Sequence, residues 1–143
     1  MLSSTKPPRL LICGARDWTD RFIVDMVLAN YPPGTVVIHG AARGADTIAG
    51  ELGKAMGFDV EPYPADWKKY GRAAGPIRNQ QMLDEGKPTE LVAFNNDLRH
   101  SNGTHDMLTR ARRAGLPVAI YGSYSFSAEE LKPPPLHRVW GES

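Results

Sequence analysis

Three short segments carry residues able to do chemistry: Gly14-Ala15-Arg16-Asp17-Trp18, Gly40-Ala41-Ala42-Arg43-Gly44-Ala45-Asp46, and Ser101-Asn102-Gly103-Thr104. Glycine lets backbone approach a ligand closely. The first turn of a helix adds unpaired N–H groups and the positive end of its dipole, which together seat a phosphate. The middle segment has that form most clearly, with Gly40 and Gly44 bracketing small Ala41 and Ala42 ahead of a helix starting near Asp46. A charge-assisted hydrogen bond contributes roughly 1.5–3 kcal/mol. Two of them bring a phosphate ligand to micromolar affinity after association costs. No Gly-Lys-Ser/Thr follows, so this is not a Walker A loop. Nor is GxGxxG present, and no dinucleotide or other cofactor is expected.

The side chains around these turns divide between ligand and structural roles. Arg16 and Arg43 have little side-chain company and suit phosphate contact or solvation. Arg78 offers a planar bidentate fork to phosphate, or an ion-pair partner within the fold. Asn79 suits a base or ribose hydroxyl, or a turn cap. Asp66, in Pro64-Ala65-Asp66-Trp67, is a ligand group or a turn former. Asp46 is an N-cap first and a candidate acid second. Trp18 and Trp67 can stack on a base, but aromatics so placed more often join the core. Cys13 ends a buried run and is expected to be inert.

These turns need elements to hold them. Apolar runs at Arg9–Cys13, Val36–Ile38, Val60–Tyr63, Leu91–Phe94 and Val118–Tyr121 read as five strands. Pro62 and Pro64 put the third at a sheet edge. Helical stripes lie between them: Phe22, Ile23, Met26 and Val27 after an N-cap at Thr19; Ile48, Ala49, Leu52, Ala55 and Met56; and Met107, Leu108 and Ala111. Pro76 suits the first position of a further helix reaching about Asp84. Continuous apolar strands alternating with helices predict an α/β fold. We expect a three-layer, doubly wound, Rossmann-like parallel sheet of about five strands. Residues 1–8 read as a lead-in, 9–122 as the domain, and 123–143 as a Pro-rich tail: disordered, or a strap docking on a second subunit.

Composition bounds the rest. The 143 residues suit one domain that buries roughly 70% of its unfolded surface. A net charge of +1 argues against a dedicated nucleic-acid coat, which normally carries a basic excess. One cysteine excludes an intrachain disulfide and a thiolate metal site, and the four histidines lack ligand spacing, so no metal is expected. No signal-peptide h-region or bilayer-length apolar run is visible, and a cytoplasmic protein without membrane contact is expected.

CGARDW, HGAARGADTIA, YPADWKKYGRAAGPIRNQQML, AF and SNGTHDML together resemble, in order and spacing, the YspA-like branch of the SLOG superfamily. The resemblance spans about residues 10–121, and its Ala-Asp-Trp followed by Ala-Gly-Pro-Ile-Arg-Asn is its most specific part. It implies a Rossmann-like domain that binds a nucleotide or nucleotide-derived ligand. LOG relatives cleave the N-glycosidic bond of a nucleoside 5′-phosphate, using a PGGxGTxxE motif and an arginine from a preceding helix. Gly103, Thr104 and Arg78 match that pattern, whereas the glutamate's place falls on Met107, with Asp106 one residue earlier.

The leading expectation is therefore a sensor or carrier of a nucleotide-like small molecule. The alternative is a nucleotide N-glycosidase in which Asp46, Asp66 or Asp106 steadies an oxocarbenium-like centre and guides water. A DNA-associated, DprA-like protein is a third class, disfavoured by the near-neutral charge. Relatives of this fold commonly pair through helices, so a homodimer or higher oligomer is expected.

Overall fold

The computed structural model describes residues 6–123; the tail expected at 123–143 lies outside them apart from Ser123. In chain order the elements are β1 (Arg9–Gly14), α1 (Arg21–Leu28), β2 (Val36–His39), α2 (Ala45–Ala55), β3 (Asp59–Pro62), α3 (Trp67–Tyr70), α4 (Ala74–Asp84), β4 (Glu90–Phe94), α5 (Asn102–Arg113) and β5 (Val118–Tyr121). Short 3-10 turns at Gly71–Ala73 and Leu98–His100 precede α4 and α5.

The strands form one parallel sheet in the order β3-β2-β1-β4-β5. β1 is central, with Leu10–Gly14 registered on Glu90–Phe94 of β4. The chain runs outward from β1 through β2 to β3, then returns to β4 on the other side of β1. Strand order therefore reverses between β1 and β4, where open parallel sheets leave a crevice for ligands.

Alternate residues of β1 serve opposite faces. Leu10 and Ile12 join Val24, Val27, Ala49 and Phe94 in a cluster beneath α1 and α2. Leu11 and Cys13 join Ile38, Met82, Met107 and Leu108 beneath α4 and α5. Each large side chain so buried contributes about 1.5–3 kcal/mol. The sheet covered by helices on both faces is the three-layer Rossmann-like architecture that the apolar strands implied. No helix among the described residues is long and apolar enough to cross a membrane.

Several local expectations are corrected. The cap of α1 is Asp20, not Thr19; its carboxylate accepts from Ile23 N at 3.2 Å. That one-residue shift turns Phe22 outward and buries Ile23, Val24, Val27 and Leu28. Pro76 is the third residue of α4, not the first. Between β3 and α4, where no element was expected, lies α3, capped by Asp66, whose carboxylate accepts from Lys69 N.

Candidate functional site

Two adjoining clefts open at the C-terminal ends of the central strands. The larger, about 850 Å³, lies at the β1/β4 reversal. Gly14, Arg16 and Asp17 line it from the turn after β1, and Arg43 from the turn after β2. Arg72 and Arg78 close it from the α3–α4 side, while Ser101, Gly103, Thr104 and Asp106 face them from the start of α5. The smaller, about 390 Å³, is floored by Gly40, Ala41 and Ala42 and walled by Pro64 and Ala65. Arg16, Arg43, Trp67 and Arg78 line both. The Arg16 guanidinium lies over the Trp67 ring, 5.7 Å from its centroid.

The turn after β2 is held from beneath. Asp46 Oδ2 accepts from the amides of Gly40 and Ala42 at 3.0 and 3.2 Å, and His39 Nδ1 accepts from Ala41 N at 2.9 Å. Three consecutive amides expected to face a phosphate are thus committed inside the protein. Asp46 is not the N-cap of α2; Gly44 is, and Asp46 sits one residue into the helix, buried and outside both clefts. Burial lifts its carboxyl to about 6, against the pull of the Ala42 amide, Arg78, the Gly40 amide and Arg16. Burial likewise lowers His39 to about 4, helped by Lys54 and Arg78, so its imidazole is neutral. Asp46 therefore staples the turn from inside the protein.

Gly44 has the same structural character. Its φ of +80° belongs to glycine, and a Cβ there would meet the carbonyls of Ala15 and Arg16. It lines neither cleft; its role is to bring the first two turns together. Ala41 holds φ of +59° without that freedom, a strained position of the kind found at ligand clamps.

Arg78 is partly committed. Its Nη1 donates to the Gly40 carbonyl and its Nε to Asn79 Oδ1 at 3.0 Å, so two of the donors expected to fork a phosphate already clamp the β2 turn to α4. Its remaining N–H groups border both clefts. Asn79, expected to read a base or cap a turn, is buried. Its Nδ2 donates to Asp106 Oδ2 at 3.0 Å, and that oxygen also accepts from Arg110 Nε at 2.8 Å. Burial raises the Asp106 carboxyl, but hydrogen bonds from Arg110 and Asn79 outweigh it and hold the group below the usual carboxylate range. Met107, where the LOG glutamate would stand, is buried in the core.

Two further candidates move away from the site. Trp18 packs on Phe94 at 5.6 Å, donates to Asp20 O and is buried. A large aromatic four residues beyond the strand turns inward to cover the sheet end. Asp66 caps α3 and lines neither cleft. Cys13 is buried and its thiol is pushed far up by burial, which removes it as a nucleophile.

The structure adds lining residues that the motifs did not single out: Arg72, Asn95, Asp97 and His100. Asn95 is buried, its Oδ1 accepting from Asp97 N at 2.7 Å while Nδ2 has no partner among the described residues. The signal was available in the run Asn95-Asn96-Asp97, which leaves β4 at the sheet's reversal, but its strand order was not. Among the described residues no cluster of His, Cys, Asp or Glu could hold a metal.

Comparison with known proteins agrees with this architecture. The family described as "YspA, cpYpsA-related SLOG family" matches residues 8–70, which include β1, the turn after β2 and α3. The Gene 61 protein of Mycobacterium phage D29 is 42% identical over 123 residues, covering 80% of this chain and 96% of that protein. The fold is similar to that of DNA processing protein A (DprA) from Streptococcus pneumoniae, with a TM-score of 0.60, 21% identity and 82% of this chain covered. The chain spans 52% of that structure. At that identity the likeness concerns the fold alone. Sequence motifs, matched family and topology converge: the chain belongs to the YspA-related SLOG family.

Proposed function

We propose that the protein binds a phosphate-bearing, nucleotide-type small molecule in the larger cleft, as a sensor or carrier. One observation carries the reading. Arg16, Arg43, Arg72 and Arg78 all line that cleft, and none forms an ion pair with a carboxylate among the described residues. Elsewhere Arg9, Arg21, Arg99 and Arg110 each have one. Four guanidiniums gathered around one opening, none of them within ion-pair distance of a carboxylate among the described residues, leave positive charge that a polyanion can engage through charge-assisted bonds.

The amides of Asn102, Gly103 and Thr104 begin α5 on the opposite wall, where intrahelical acceptors are lacking. Asn95, Ser101 and Thr104 add polar side chains for hydroxyl or base edges. A cleft of about 850 Å³ is in the range of ordinary small-molecule sites.

A thermal-shift panel of nucleoside mono-, di- and triphosphates tests the reading. A ligand at 100 times its dissociation constant stabilises by about 2.7 kcal/mol, which gives a shift of several degrees at this size. Failure of every member at millimolar concentration would defeat the proposal.

A further inference from the structure

We infer that the larger cleft also hydrolyses a phosphoanhydride, with His100 as the base for the attacking water and Asp97 as the residue that positions it. This rests on the reading of that cleft as a phosphate site and adds a step that empties it. His100 Nδ1 lies 2.6 Å from Asp97 Oδ2, and both residues line the cleft together with Arg16, Arg43, Arg72 and Arg78. The pair is braced from the core. Asn95, buried just beyond β4, accepts from Asp97 N at 2.7 Å, and Asp97 Oδ1 accepts from Arg99 N at 3.2 Å. Oδ2 is left to meet the imidazole.

The hydrogen bond from His100 leads the influences that hold the Asp97 carboxyl below the usual carboxylate range. An ionised carboxylate can only accept, so Nδ1 carries the proton of the neutral ring and Nε2 is bare. A bare imidazole nitrogen with a carboxylate behind the ring is the arrangement of a general base. The His100 side chain is 78% exposed, so water reaches it. Attack in line with the breaking bond puts the leaving oxygen on the side of phosphorus away from the imidazole. Asp97 and Asp106 are both held below the usual carboxylate range, so neither supplies that oxygen with a proton. A phosphate departs without one, its charge spread over several oxygens and met by the guanidiniums; an alkoxide does not. The bond broken is therefore an anhydride. The water oxygen bonds to phosphorus as one proton passes to Nε2, and the bridging P–O bond breaks with its electron pair on the departing phosphate. The second water proton stays on the new phosphate, and the imidazolium returns its proton to solvent.

The test is phosphate release from ATP and ADP by the full chain with magnesium present, set beside release from the ester AMP. The expected result is release from the two anhydrides and none from AMP. His100→Gln should lower kcat by roughly 100-fold or more, with the melting temperature unchanged and binding of the β,γ-imido analogue of ATP retained. The wild-type rate should fall toward low pH as the base is protonated, and His100→Gln should abolish that limb. Added imidazole should restore part of the activity of His100→Ala, which a purely structural role does not predict. Asp97→Asn keeps an acceptor for Arg99 N but removes the anion behind the ring, so kcat should fall about tenfold or more with KM unchanged. Binding of the analogue without phosphate release would overturn this inference and leave the nucleotide reading intact. Release that persists in His100→Gln, or that is as fast from AMP as from ADP, would also overturn it. Neither binding nor release would remove the adenine-nucleotide reading and the inference together.

Discussion

Asn79 Nδ2 lies 3.0 Å from Asp106 Oδ2 and fixes the one carboxylate on α5 that borders the larger cleft. Arg110 holds the same oxygen from the other side. A carboxylate whose oxygen is pinned by two donors is not free to swing toward a sugar carbon or its attacking water, and being ionised it has no proton for a departing base. Its helix turns it about 100° from the position where the LOG glutamate would stand, and a 1 Å misplacement alone can cost ~100-fold in rate. Little or no free base should therefore appear by chromatography from AMP, GMP, CMP or UMP over hours at micromolar protein. Rapid release that disappears in Asp106→Asn would reverse this conclusion.

Arg78→Ala should show two effects. Loss of the donors to Gly40 O and Asn79 Oδ1 should destabilise the fold by about 1–3 kcal/mol. If the remaining guanidinium N–H groups meet phosphate, affinity for the best nucleotide should also fall at least tenfold. Arg78→Lys should restore only part of either, because one ammonium cannot serve Gly40, Asn79 and a ligand together. Melting curves with and without ligand separate the effects. An unchanged melting temperature would show that the clamp contributes nothing.

The turn after β2 should give opposite pH signatures for its two anchors. Asp46 is raised from 3.8 to about 6 in the folded protein, so the native state holds its proton more firmly than the unfolded chain. Its contribution to stability therefore falls as pH rises from about 4 to 6. His39 is lowered from 6.5 to about 4, so the unfolded chain takes the proton first. Its contribution is complete above 6.5 and is lost as pH falls toward 4. Relative to wild type, Asp46→Asn should gain stability at pH 6 compared with pH 4. His39→Gln should show the reverse, since removing His39 removes its loss at low pH. Urea unfolding across that range reads both slopes, and matching slopes in the two variants would refute the assignment.

Backbone at the same turn makes a fourth test. Gly44→Ala introduces a side chain at φ +80° against two carbonyls and should cost about 3 kcal/mol or more. Ala41→Gly relieves an αL alanine worth roughly 1–2 kcal/mol but adds glycine's unfolded-state entropy of roughly 0.5–1 kcal/mol. It should be neutral or slightly stabilising by denaturant titration. A large loss at Ala41→Gly would mean that its methyl group is a packing contact.

The five strands were legible because each is a compact apolar run, and Pro62 and Pro64 placed β3 at the edge that the sheet gives it. The glycine turns announced the sheet end at which a cleft would open. Side-chain direction was not legible. Whether Asp46 faces a ligand or its own loop depends on where Gly40 and Ala42 fold back, which is a tertiary fact. Trp18 looked like a stacking platform because its neighbours Arg16 and Asp17 are polar, yet Phe94 from a strand 76 positions later claims it. Arg72 lies between the third strand and the Pro76 helix, where no element was expected, and the packing of α3 against α4 brings it to the cleft.

The contrast between the two described tryptophans gives the molecule a built-in optical reporter. Trp18 is sealed in the core and should emit at short wavelength, beyond the reach of acrylamide. Trp67 is 49% exposed beneath a guanidinium at the junction of the clefts, so it should be quenched readily and emit further to the red. Any occupant that draws Arg16 away or covers the indole will alter one component of the emission and leave the other as an internal standard. With Trp140 replaced by phenylalanine to silence the tail, unlabelled protein would report its own saturation in a cuvette.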